Sequence, residues 1–137
     1  MPRFARSATA ALALLAAGGT PWAGPGDCFR EDGKPPERAL TGMLRQVQVR
    51  ARELPAIDGG WFYVLDLPAP VCLEGAGGTR RGLRSVHVFA PDEEGMAGLR
   101  RHAGRRVTVA FKTVFEEHTA HHLRPMVGEV ARVGPAP

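Results

Sequence analysis

From Gly104 to Val133 the chain writes out a strand, a polar turn and a return strand, and any fold must accommodate that hairpin. Gly104-Arg105-Arg106-Val107-Thr108-Val109-Ala110-Phe111 alternates apolar and polar with the period of two that marks a half-buried strand. Glu116-Glu117-His118-Thr119-Ala120-His121-His122 follows and holds three of the five histidines. Met126 to Val133 is apolar enough to pair back as a strand.

Upstream, residues 24–38 are rich in Gly and Pro and read as an irregular lead-in pinned by Cys28. Ala39 to Arg50 reads as a first strand. Leu40, Gly42 and Leu44 share one parity and Val47 and Val49 the other, a one-residue slip that predicts a β-bulge at a barrel corner. Glu53 to Gly60 reads as a loop turned by Asp58-Gly59-Gly60. Trp61 to Leu67 is the clearest strand, with Trp61, Tyr63, Leu65 and Leu67 opposite Phe62 and Val64. Pro68 and Pro70 are expected to end regular pairing, Val71-Cys72-Leu73 to continue extended, and Glu74 to Gly82 to form a mobile loop. Arg84 to Phe89 reads as a third strand.

Ala90-Pro91-Asp92-Glu93-Glu94 opens a helix, with proline suited to the first helical position and acids in the positive first turn. Met96, Leu99 and Ala103 share one face, and Gly104 is the stop. The order is strand, strand, strand, helix, strand, strand. That order and a bent first strand predict a small all-β domain over residues 39–134, a five-stranded OB-like barrel with its helix between strands three and four. A small β-sandwich or an open half-barrel is the rival.

Residues 1–23 stand apart. Arg3 and Arg6 precede an apolar run from Ala8 to Ala17, followed by small residues, which is the order of a secretory signal peptide. The run is about half the length needed to span a bilayer, and an uncleaved anchor is the competing reading. Cleavage after Ala23 would put Pro21 in a position that fits poorly. Asp27 before Cys28 argues against lipidation. The expectation is a periplasmic or secreted protein with no membrane span after cleavage.

Without Arg3 and Arg6, 16 basic residues face 14 acidic ones, a balance of +2 that decides little about partners. In an oxidising compartment the two cysteines, Cys28 and Cys72, most simply form a disulfide. It would close a loop of about 45 residues, worth on the order of 4 kcal/mol in the chain-entropy model.

His118-x-x-His121-His122 is the sharpest chemical feature. Imidazole is a common ligand of borderline metals, and these three with Glu116 or Glu117 could complete a Zn²⁺ or Cu²⁺ site. Adjacent His121 and His122 tend to point apart on extended chain, and the spacing matches no established zinc pattern. An exposed polar turn is the competing reading. His87, mid-strand beside Phe89, reads as a satisfied, partly buried histidine, and His102 suits a helix C-terminus. Arg80, Arg81 and Arg84 and then Arg100, Arg101, Arg105 and Arg106 form two basic clusters. The aromatics are needed for the core, so nucleic acid is not the expected partner. No nucleophile has a base beside it and no carboxylate pair stands out, so no enzymatic reaction class is indicated.

The chain resembles the bacterial Domain of Unknown Function 4431 family. The resemblance rests on Cys28; Leu40-Thr41-Gly42-Met43-Leu44; Trp61 with Leu65-Asp66-Leu67; Pro70-Val71-Cys72; Leu99; Gly104 to Val109; and His118-Thr119, His121-His122 and Pro125. It spans roughly Cys28 to Val133. Two departures are Ala120, where the family tends to have glycine, and Leu123, where it tends to have a third consecutive histidine. The family has no assigned activity, and the resemblance singles out Thr119, His121 and His122.

These readings converge on an exported binding or accessory module without cofactor. Its partner would be a protein or small ligand, contacted through the histidine turn, Thr119 included, and the corner formed by Asp58 and Trp61. The alternative is a transition-metal protein that binds Zn²⁺ or Cu²⁺ through His118, His121 and His122.

Overall fold

Among the described residues the chain forms six strands and one helix: β1 (Phe29–Arg30), β2 (Ala39–Gln48), β3 (Trp61–Gly75), β4 (Gly78–Phe89), α1 (Glu93–His102), β5 (Arg106–Glu116) and β6 (Met126–Pro135). The computed structural model describes residues 28–31, 39–49, 61–119 and 122–137. The expected signal peptide, most of the lead-in, Asp58 with its loop, and His121 lie outside the described residues.

Strands β2 to β6 form a closed ring. β2 pairs antiparallel with β3 and with β5, β3 with β4, and β5 with β6, and the parallel pair β4–β6 closes the circle. The result is a five-stranded all-β barrel with its one short helix between the third and fourth barrel strands, the order of an OB-like barrel. Pairing around the whole ring leaves neither a sandwich nor a half-barrel.

One parity of each strand fills the barrel. Leu44, Tyr63, Leu65, Val86, Val88, Val107 and Val109 meet inside, and Leu99 of α1 plugs the cluster. Leu44, Leu65 and Leu99 are wholly buried, and each such side chain stabilises the fold by roughly 1.5–3 kcal/mol relative to exposure. The helix starts at Asp92, whose Oδ1 accepts the Gly95 N–H at 2.7 Å, so Pro91 sits one residue before the cap and not at the first helical position. Gly104, at φ +80°, turns the chain out of the helix.

Several local expectations change. The parity slip in β2 is a hand-over and not a bulge. Residues Ala39 to Met43 pair with β5 and Met43 to Gln48 pair with β3, without a register shift in either ladder. Gly42 marks the corner, because a Cβ there would lie 2.2 Å from the Asp66 carbonyl oxygen. The shifts fall elsewhere, in β3–β4 between Asp66 and Leu73 and in β5–β6 between Ala110 and Thr113. Pro68 and Pro70, which lack an N–H, occupy the gap in pairing between Asp66 and Val71, after which the strand resumes.

The expected mobile loop from Glu74 to Gly82 is a tight hairpin in which Gly75 faces Gly78. The turn N–H groups of Ala76 and Gly77 donate to Glu31 Oε2 and Glu116 Oε2, at 3.2 and 3.3 Å. The Glu116 side chain crosses Gly75 so closely that a Cβ there would lie 2.4 Å from it. The lead-in also contributes β1, parallel to β3 at Leu73 and Glu74, with Phe29 in the core. The Cys28–Cys72 disulfide joins these two strands, with Cα atoms 4.7 Å apart.

Candidate functional site

The histidine turn builds its site on the outside of the barrel. Strand alternation sends Tyr63 and Val88 inward and therefore Phe62, Val64 and His87 outward. Registers align Val64 with His87, His87 with Val127 and Val127 with Phe115, a row across β3, β4, β6 and β5. Val64 and Val127 are wholly buried although they point away from the core.

The return segment, described at residues 117–119 and 122–125, lies over this row and is closed at its base. Its neck is the bond from Glu117 N–H to Pro125 O, 3.0 Å, and its inner turn is His122 N–H to Thr119 O, 3.1 Å. Two side chains of β4 tie it down: Leu123 N–H donates to His87 Nδ1 at 3.2 Å, and Arg124 Nε donates to Ser85 Oγ at 3.0 Å. Arg124 Nη1 also reaches Leu123 O at 2.7 Å, which stiffens the chain between the two ties.

Rings fill the space beneath. His122 packs edge-on against Phe115 at 5.4 Å and His87 at 6.0 Å, and His118 lies 5.3 Å from Phe115 and 4.8 Å from His122. Phe62 meets His87 at 5.4 Å. Such edge contacts add about 0.5–1.5 kcal/mol each beyond the area they bury.

The hydrogen bonds assign the neutral tautomers. His87 and His122 both accept at Nδ1, from Leu123 N–H and from His118 N–H at 3.2 Å, so each carries its proton on Nε2. His118 Nδ1 lies 3.2 Å from the Glu116 carbonyl and donates to it, which leaves Nε2 as its lone pair. Burial pushes the His87 imidazole down to about 4, with unfavourable electrostatics from neighbouring His122 and Arg124 adding to the shift. A proton on its Nδ1 would break the tie to Leu123.

Beside the loop, where β3 begins, lies a pocket of about 230 Å³ with Trp61, Phe62, Tyr63, His87, Phe89 and His122 in its wall. Trp61 forms an open flank, 45% exposed. Burial raises the Tyr63 hydroxyl pKa, and the positive charge of Arg100 opposes that shift.

Of the site residues expected from sequence, the structure brings Trp61 and His122 to one pocket. His118 sits at the outer edge of the loop with Thr119 beside it, both exposed. Glu116 and Glu117 turn the other way, to Arg80: Oε1 of Glu116 is 3.3 Å from Nε without hydrogen-bond alignment, and Oε1 of Glu117 is 3.6 Å from Nη1. Among the described residues no three of His, Cys, Asp and Glu converge as a metal centre requires, and His121 is not among those residues. His87 is buried and satisfied, as its mid-strand position suggested, but its tie to the loop through Leu123 and the second tie through Arg124 were not visible in the sequence. The signal for the outward placement of His87 was present, since it shares its outward parity with Phe89 while the positions on either side of it, Val86 and Val88, are the inward valines.

Fold and site together define a small closed all-β barrel with a histidine-bearing loop strapped to its outer wall. No family model matches the chain, and no curated protein matches it either.

Proposed function

We propose that this is an exported, disulfide-stapled barrel acting as a binding or accessory module, with the histidine turn and the Trp61 corner as its contact surface. The observation that carries this reading is the aromatic pocket between Trp61 and the strapped loop, a concave, largely apolar site with a few polar groups. Export rests on the signal-like composition of residues 1–23 and fits the disulfide, a bond that persists in oxidising compartments. No helix among the described residues is long and apolar enough to cross a membrane. The likeness to the Domain of Unknown Function 4431 family belongs to the same proposal.

The proximity of His118 and His122 favours a second reading, Zn²⁺ or Cu²⁺ binding with His121. His118 has the form of a ligand, with Nδ1–H on a carbonyl and Nε2 available. His122 would first have to release the His118 N–H to offer Nδ1, or its Nε2 proton to offer Nε2. That cost ranks the metal reading second.

Thermal unfolding of the oxidised protein tests both, with Zn²⁺, Cu²⁺ and a panel of small aromatic, aliphatic and sugar ligands. A ligand at one hundred times its Kd adds about 2.7 kcal/mol, several degrees in Tm at this size. The module reading expects a rise with an organic ligand that survives chelator and is lost in Trp61→Ala. The metal reading expects a rise with metal that is lost in His121→Ala/His122→Ala. No rise with any ligand would contradict a small-ligand site here.

A further inference from the structure

We infer that the pocket beside Trp61 is a subsite for a small aromatic carboxylate, a single arene ring bearing an anionic group. The inference rests on the module reading above and names the ligand chemistry of that site.

Size comes first. A dry cavity of about 150 Å³ is enough to bind benzene, so the 230 Å³ here has room for one ring and a substituent. The wall then selects an arene. Trp61, Phe62, Tyr63 and Phe89 offer ring faces and edges, and aromatic pairs favour the edge-to-face and offset geometries that a flat guest can adopt. Trp61 is 45% exposed, so part of its ring faces the open side of the pocket where a guest would enter.

Charge selects the acid. The fixed charges acting on the titratable groups of the wall are cationic: Arg100 on the Tyr63 hydroxyl and Arg124 on the His87 ring. Arg100 is already paired with Glu93 along the helix. Among the described residues Arg124 donates to the neutral oxygens of Ser85 and Leu123 and enters no salt bridge. An arene carrying a carboxylate would therefore bring its negative charge toward Arg124, which lies behind the His87 wall and outside the pocket lining. A neutral arene would gain the stacking alone.

Calorimetric titration of the oxidised full chain at pH 7 with benzoate, benzyl alcohol and acetate tests this. The expected result is one-to-one binding of benzoate, benzyl alcohol weaker by about tenfold, the worth of one charge-assisted contact, and no detectable binding of acetate. Trp61→Ala should weaken both arenes and Trp61→Phe restore them, with circular dichroism confirming that each variant is folded. Arg124→Gln, which keeps a donor for Ser85, should bring benzoate down to the affinity of benzyl alcohol. Equal binding of benzoate and benzyl alcohol, or benzoate affinity indifferent to Arg124→Gln, would overturn the acid preference and leave the module reading standing. Binding of neither arene would overturn the subsite itself, and the module reading would then rest on the wider ligand panel.

Discussion

Acidification should weaken this fold through the His87 imidazole. His87 is 6% exposed, holds Leu123 with its unprotonated Nδ1, and titrates near 4 where an unfolded histidine titrates near 6.5. Above about pH 6.5 both states are neutral and the difference has no effect. As pH falls below that, the unfolded chain takes up the proton and the folded chain does not, so stability declines. The loss is about 2 kcal/mol at pH 5 and about 3 kcal/mol at pH 4, and it levels off below the folded value. That is a large share of the 5–15 kcal/mol of an ordinary domain. Urea unfolding at stepped pH, wild type against His87→Asn, isolates the effect, because the asparagine amide oxygen can still accept Leu123 N–H without titrating. The wild type should lose about 3 kcal/mol relative to the variant between pH 7 and pH 4. A difference that stays constant with pH, or an NMR titration placing His87 near 6.5, would refute the reasoning.

Reducing the Cys28–Cys72 bond, or replacing both residues with serine, should cost about 4 kcal/mol by chemical denaturation, because the bridge spans 44 positions of sequence. Gly42→Ala should destabilise by about 1–3 kcal/mol in the same assay, since the new methyl meets the Asp66 carbonyl and one strand must move. Leu65→Ala, at a wholly buried site, should cost about 2–5 kcal/mol by urea unfolding. Asp92→Ala should cost about 1 kcal/mol and lower helical ellipticity modestly, through the lost Gly95 cap.

The barrel was legible because its inward parity is so regular. Tyr63 and Leu65, Val86 and Val88, and Val107 and Val109 each repeat at two, and Asp92 to Gly104 replaces that period with a helical one. The tip of the β3–β4 hairpin was not legible. Thr79, Arg80 and Arg81 are exposed there, so no apolar period marks them as strand, and only pairing with β3 makes them one. β1 is two residues long and leaves no pattern at all. At the site, Trp61 and the histidine turn stood out by residue type. The row Val64, His87, Val127 and Phe115 did not, because outward apolar residues beneath a loop look the same in sequence as residues in a core. The acids beside the turn misled for a related reason: spacing brought Glu116 and Glu117 near the histidines, and Arg80 drew them to the opposite side.

The claim at the centre of this account is that ligand is met on the outer wall, between Trp61 and the strapped loop. A protein-observed NMR titration with benzoate tests it most directly. The account predicts saturable shifts confined to Trp61, Phe62, Phe89 and His122, with Leu123 following as the loop responds. Shifts centred on the groove between α1 and β6, at Gly98, Arg101 and Val133, or spread evenly over the barrel, would contradict it.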